Sequence, residues 1–570
     1  MHPPLWPFDP ALAERARTHL AAHDLARIEL AGRRAAAVAV TLVADEQGQA
    51  SFVLTRRAPR LRSHAGQWAL PGGRLEEGEE PAAAALRELH EEVGLHLSSS
   101  GGRPVRVEVA RVGARRDVVF TSDAVTADEH ETPKDAASSG CGWPVALTFD
   151  VAPAWRSGYY EVVMEIDVGE KVRRDYAFFV VRPSPGARIV LALATNTWNA
   201  YNDFGGPNLY TGGTHVAMRR PMAAGYLYKP PGKGRRVTGT GAPDPQNAAH
   251  VGYIQLNHLS GYAGSAGWPD WELPFIEWAE REGFEIGVCT NADLEEHPEV
   301  LGDARLYLSV GHDEYWSRGM RDAVEGFIAR GGNAAFFSGN TSLWQVRIEG
   351  DDHDVMVGYK GFFKDDPVMG TDREVEATTF WSDVVVARPE NHMTGVSFTR
   401  GGYHRIGRNI TNGLGGYTIH RAGHWIFDGT GLGYGDVLGA GATTVGYECD
   451  GCVFTYRDGL PYPTGEDGTP ATFEILGTCP TQHFTRESAP RPPKPGEPSE
   501  LEYIAARVFG TRDPAAMERI RHGHAVLGAY TTDAGATVVT SGSTDWAHGL
   551  AGRDAQIEQI TRNVLTRLGK

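Results

Sequence analysis

Between Arg188 and Phe337 the chain repeats one pattern: a short apolar run, an amphipathic helix, then another apolar run. Arg188–Ala194 reads as a buried strand, Asp270–Glu282 as a helix and Glu285–Cys289 as a strand. Arg305–Val310, Ser317–Arg330 and Asn333–Phe337 then repeat strand, helix, strand. Strands that are apolar on both faces need cover on both sides, and intervening helices of this length bring successive strands back parallel. A doubly wound parallel sheet within 186–570 is therefore predicted. In such a sheet ligands sit beyond the carboxyl ends of the strands. Those ends carry Asn196, Asn199 and Tyr201, then Gly311-His312-Asp313-Glu314, then Asn340.

The remainder of the 570 residues implies an α/β multidomain protein. An amphipathic helix is expected within 1–30, followed by strands over Ala35–Val43 and Ala50–Thr55. The polar stretch 121–142 has no periodicity and reads as a junction. Leu147–Val151, Tyr159–Ile166 and Tyr176–Val181 predict a small antiparallel β unit over 143–185. Residues 371–480 are β-rich and Gly-rich, an expected insertion on the sheet domain. The last helix is expected at Asp554–Leu568. The five cysteines are too few and too irregular for a disulfide framework, and Cys449-Asp-Gly-Cys452 stands alone.

Residues 73–95 hold Gly73, Glu79, Arg87, Glu88, Leu89, Glu91, Glu92, Gly94 and Leu95 in the spacing G-x5-E-x7-R-E-U-x-E-E-x-G-U, where U is a bulky aliphatic. Ala82–Val93 is a strong helix former stopped by Gly94. On it Glu88, Glu91 and Glu92 share a face, where carboxylates can hold a hard cation. The segment resembles the Nudix hydrolases, and 31–120 is read as a Nudix-like α/β/α segment. The resemblance implies Mg²⁺ or Mn²⁺ on Glu88, Glu91 and Glu92, with Glu91 catalytic, activating water against a diphosphate. Leu54-Thr-Arg-Arg57 and the stretch from Leu61 to Gly73 are similar to its coenzyme A diphosphatase branch. Only Arg106–Val112 offers a further strand after the box, so the segment reads as cut short on its C-terminal side.

A second set of motifs runs through 143–570. It comprises Trp143-Pro144, Trp155 to Glu161, Ala194 to Gly206, Asn208-Leu-Tyr210, Val310 to Ser317, Gly331 to Asn340 and Ser543 to Gly549. Together they resemble the large (β) subunit of N,N-dimethylformamidase. A cysteine at the 311–314 elbow of a glutamine-amidotransferase-like fold would supply a thiol nucleophile, and this elbow has none. The resemblance implies instead an Fe(III) ion held by Tyr201, Tyr210 and Glu314, hard oxygen donors suited to that ion. It further implies His312 and Asn340 as positioning groups, Lys360 as a cationic helper and Glu448 as general base. A small-molecule amide would be the substrate, and amine and carboxylate the products. A homo-oligomer is expected, and the resemblance adds a small helical partner subunit.

Three readings follow: an iron-dependent amidohydrolase, an Mg²⁺-dependent Nudix diphosphatase, and a non-catalytic fusion that senses a ligand. The net charge of −17 argues against nucleic acid, which would require a basic patch. No stretch approaches 18 apolar residues, and the first 20 residues lack the long apolar core of a signal peptide, so no membrane association and a cytoplasmic location are expected.

Overall fold

The computed structural model describes residues 36–44, 50–56, 68–76, 79 and 81–93, a few positions between 12 and 19, and 103–570 apart from 169–170, 231–251, 407–409, 412 and 490–492. The chain divides into two units, Met1–Arg103 and Pro104–Lys570. Most of the helix expected within 1–30, most of the stretch from Leu61 to Trp68, and Gly94 and Leu95 fall outside the described residues.

In the first unit Ala36–Val38 pairs antiparallel with Gly72–Arg74, and the helix Pro81–Val93 packs on both strands. Leu89 and Ala84 are the buried contacts of that helix. Leu42–Ala44 pairs with Ala50–Phe52 as a separate hairpin.

The second unit opens with a five-stranded antiparallel sheet. Lys171–Val181 pairs with Gly158–Val168, which pairs with Arg103–Val112, which pairs with Arg116–Thr121; Val125–Ala127 also pairs with Arg103–Val112. The strand expected to continue the Nudix-like segment therefore lies in the small β unit, because Val105–Val112 is in register with Tyr159–Ile166. That unit also takes in Arg116–Thr121, while Leu147–Val151 forms no strand.

The main sheet has eleven strands. Along its principal path the order is Gly287–Thr290, Ile189–Leu193, Leu306–His312, Asn333–Gly339, Thr537–Thr540, His522–Thr531, Glu474–Gln482, Ser397–Tyr403 and Glu448–Gly451. The first five are mutually parallel and the last four join antiparallel. The sheet is thus mixed, not wholly parallel, and strands of the 371–480 stretch complete it instead of forming an insertion upon it.

Alternate residues of the parallel strands enter two cores. Leu191, Leu193, Leu308, Val310 and Phe337 face one, with Phe275 and Trp278 of the helix Glu272–Arg281 and Ile560 and Val564 of the helix Ala555–Leu568. Val190, Ala192, Tyr307 and Phe336 face the other, with Met320, Val324 and Phe327 of the helix Arg318–Ala329. Cover on both faces explains the unbroken apolar runs. Removing a fully buried ring such as Phe337 would cost about 3–5 kcal/mol. The strand ends are rigid for this reason, and the site stands on them.

Candidate active site

The strand Ile189–Leu193 runs directly into the fully buried helix Thr195–Tyr201. Asn208 donates from its side-chain amide to the Tyr201 carbonyl at 2.7 Å, and its Oδ1 accepts the Tyr210 N–H at 2.9 Å. One asparagine thereby fixes both tyrosines. Tyr226 adds a second hydrogen bond to the Tyr201 carbonyl, at 2.7 Å. Asn196 and Asn199 point into the scaffold, where Asn199 bonds the Thr195 carbonyl and Asn196 the Tyr315 carbonyl.

Leu306–His312 ends in the elbow that carries Glu314. Gly311 has φ +81°, and a Cβ there would lie 2.3 Å from that of Trp271, so this turn requires glycine. The Glu314 N–H donates to Thr197 Oγ1 at 2.9 Å, which ties the elbow to the tyrosine-bearing helix.

Three oxygen donors converge at this point. Tyr201 OH lies 3.0 Å from Glu314 Oε2, Tyr210 OH lies 2.9 and 3.0 Å from the two Glu314 oxygens, and the phenol oxygens are 2.7 Å apart. Oxygens sharing a cation at right angles, with bonds of about 2.0–2.1 Å, are separated by roughly 2.9 Å. The set thus fits a hard cation. Tyr210 is the most open member, 39% exposed as a residue, although its hydroxyl is surrounded by Tyr201, Glu314 and Tyr315. Burial, reinforced by the Glu314 charge, pushes both phenols well above their ordinary pKa. A cation would therefore have to displace both phenolic protons.

On one side of this triad lies a polar cluster. His312 Nε2 is 2.8 Å from Glu448 Oε2 and 3.3 Å from Glu314 Oε2, while Nδ1 lies 2.7 Å from the Ser265 carbonyl and donates to it. Burial opposes a charge on His312, but the two carboxylates outweigh it and raise its pKa. Burial likewise opposes ionisation of Glu314, yet His312, Lys360 and Tyr210 carry its pKa below the usual value. Asn340 Nδ2 donates to Glu448 Oε2 at 3.0 Å. Asn340 sits at φ +53°, held by its N–H on Asp450 Oδ1 at 2.8 Å.

Glu448 opens the edge strand Glu448–Gly451. Its carbonyl accepts the Thr544 N–H at 3.1 Å, and a Cβ on Gly339 would come within 2.6 Å of that carbonyl oxygen. Lys360 lines the same cavity, its Nζ donating to Tyr315 OH at 2.6 Å. Tyr315 donates in turn to Tyr210 OH at 2.9 Å. Burial lowers the Lys360 pKa to about 7.

The seven C-terminal residues given roles by the resemblance come together, six of them lining one cavity of about 390 Å³ and His312 touching three of those six. Sequence reasoning missed Tyr315, Trp344 and Ser265. Tyr315 and Trp344 are register partners in a four-stranded sheet, and Trp344 Nε1 donates to Glu314 Oε1 at 2.7 Å. Tyr315 follows Glu314 directly, which is the one local signal for it.

In the first unit Arg87 makes paired hydrogen bonds to Glu79, at 2.9 and 3.0 Å, and others to Glu88 at 2.9 Å and Glu91 at 3.4 Å. The Arg87 hydrogen bond lowers the Glu79 pKa. A Cβ on Gly73 would lie 2.0 Å from Glu88 Oε1, so the Glu88 carboxylate rests against this glycine. The Glu92 side chain is outside the described residues. Among the described residues no group of three His, Cys, Asp or Glu donors is arranged to hold a metal ion.

A family model described as N,N-dimethylformamidase beta subunit-like, C-terminal, matches residues 106–560. The chain belongs to this family. A NUDIX domain model matches residues 33–150, so the two matches overlap over 106–150. The N,N-dimethylformamidase beta subunit of Paracoccus aminophilus is 23% identical over 474 residues, covering 75% of this chain and 55% of that protein. The Alcaligenes sp. beta subunit is 27% identical over 225 residues, 36% of this chain and 28% of that one. The chain thus spans at most about half the length of these dimethylformamidase relatives. A probable nudix hydrolase of Schizosaccharomyces pombe is 53% identical over 62 residues, 11% of this chain and 21% of that protein. Both matched families are hydrolases. No described helix is long and apolar enough to cross a membrane.

Proposed function

We propose that the C-terminal unit is an iron-dependent amidohydrolase that converts a small amide to an amine and a carboxylate. The observation that carries the reading is the convergence of Tyr201, Tyr210 and Glu314 oxygens within 3.0 Å of one another beside the His312–Glu448–Asn340 cluster. Fe(III) held by those three residues would supply Lewis-acid polarisation of the amide oxygen or of water.

The protein groups do the rest. Glu448 accepts the proton of the attacking water and returns it to the amide nitrogen as the C–N bond breaks and the amine leaves. His312, locked by the Ser265 carbonyl, holds Glu448 in place through Nε2. Asn340 and Lys360 donate towards the oxyanion of the tetrahedral adduct. The outer wall, with Leu343, Phe380, Phe398 and Ile504, is apolar and suits an amide bearing small alkyl groups. The parallel half of the main sheet serves as a glutamine-amidotransferase-like platform with its thiol replaced by this cluster.

Iron content and the visible spectrum of the full-length protein test the proposal. One iron per chain with a phenolate-to-Fe(III) charge-transfer band is expected, and Tyr201→Phe should abolish the band and the activity. An iron-free protein that turns over amides unchanged would refute it.

A second reading rests on the Arg87–Glu79–Glu88 geometry: the first unit, as a Nudix-like α/β/α fold, hydrolyses a nucleoside-diphosphate-linked, coenzyme A-like substrate with Mg²⁺ or Mn²⁺. It requires diphosphate cleavage that disappears in Glu91→Gln. If neither activity exists, the first unit is a ligand-sensing module, detectable as a ligand-dependent rise in melting temperature. A homo-oligomer, a small helical partner and a cytoplasmic setting complete the proposal.

A further inference from the structure

A second cavity, of about 570 Å³, shares no lining residue with the catalytic one. At its wall is Arg400, on the strand Ser397–Tyr403. Arg400 is 8% exposed, and its guanidinium has no hydrogen-bond or ion-pair partner among the described residues. Leaving a buried cation unpaired is costly, so a cavity that ends on one is organised to receive an acceptor. Phe509, on the helix Glu500–Phe509, offers its ring 4.9 Å from the guanidinium carbon.

The neighbouring charges define the ligand. Arg519 is committed to Glu466 at 3.0 Å, and Arg507 to Asp383 at 3.2 Å. Asp467 accepts the backbone N–H groups of Val453 and Thr469, at 2.6 and 3.2 Å. Burial and the Arg321 charge lower the His392 pKa. Among these cations Arg400 alone has no acceptor, and with the Asp467 charge in the same lining a monoanion suits it better than a dianion. A carboxylate also matches the planar donor edge of a guanidinium, and Val384, Pro389 and Val508 of the lining suit an apolar body behind it. We infer that this cavity binds a small organic carboxylate, with Arg400 as its anchor and this apolar lining around its body. The inference stands apart from the amidohydrolase reading.

Benzoate and inorganic phosphate are titrated calorimetrically into the full-length protein, as wild type, Arg400→Lys and Arg400→Gln. Saturable benzoate binding is expected, weakened roughly 10- to 100-fold in Arg400→Gln, as for loss of a charged hydrogen bond, and less in Arg400→Lys. Absence of benzoate binding, equal binding by all three proteins, or binding of phosphate alone would overturn it. Should Arg400→Gln fail to fold, wild-type crystals soaked in 4-bromobenzoate decide by the bromine position. Bromine against that apolar lining supports the assignment. Bromine only in the catalytic cavity, or none at all, refutes it.

Discussion

Lys360 places its ammonium 3.2 Å from the centre of the Tyr210 ring while donating to Tyr315 OH at 2.6 Å. A cation so placed is attracted by the ring face and remains close to the oxygens of the triad. Replacing it with methionine keeps the stem packed but removes the donor. Lys360→Met is expected to lower kcat about 100- to 1000-fold, as for loss of an oxyanion donor, with metal content retained. An unchanged kcat would assign Lys360 to packing alone.

Gly339 stands where three chain segments meet. A Cβ there would lie 2.4 Å from the Thr544 nitrogen and 2.6 Å from the Glu448 carbonyl oxygen. Gly339→Ala therefore has to push the Glu448 strand outward, at a cost of about 1–3 kcal/mol. Urea unfolding should show that loss, and turnover should fall with it because Glu448 moves. A variant as stable as the parent would show that the strand gives way freely.

Glu390 is fully buried, and burial raises its pKa to about 7 against a partner hydrogen bond from Ser382. An acid whose folded pKa exceeds its unfolded value holds its proton more tightly when folded. Its contribution to stability is therefore complete below about pH 4.5 and is lost as pH rises to about 7. Glu390→Gln removes that dependence. Between pH 5 and pH 8 the variant should lose up to about 3 kcal/mol less stability than the parent, read from urea midpoints at the two values. Parallel declines in the two proteins would disprove the assignment.

Arg111, on the strand Arg103–Val112, reaches Glu280 of the helix Glu272–Arg281 at 2.5 Å, and Glu280 also accepts the Ala114 N–H at 2.8 Å. The pair joins the five-stranded sheet to the α/β body. Arg111→Met leaves Glu280 largely buried without its cation, at about 3 kcal/mol. Double substitution with Glu280→Leu should recover part of that loss, and calorimetric melting of both proteins would measure it.

The parallel half of the sheet was legible because each strand is apolar on both faces and each helix has its own period. The antiparallel half was not. Ser397–Tyr403 and Glu448–Gly451 are short and glycine-rich, and their partners lie far along the chain, so no local pattern reports the pairing. Alternation likewise marks Arg106–Val112 as a strand but does not say which neighbour it joins: it lies within the NUDIX match and pairs with Tyr159–Ile166. At the site, Tyr201, Glu314, His312 and Asn340 could be read from their places at strand ends. Tyr210, Lys360 and Glu448 came through family likeness. Trp344 escaped because its bond to Glu314 depends on the register of a small sheet that no motif marks.

The Glu448 carboxylate is carried by a strand anchored through main-chain contacts, including the bridge between Cys449 and Ser543 and the Thr544 N–H on its own carbonyl. Those contacts use no side chain from the apolar wall formed by Phe380, Phe398 and Ile504. The room and the tools within it are thus separately adjustable. Libraries at these three wall positions can be screened for bulkier substrates while the reacting groups keep their places.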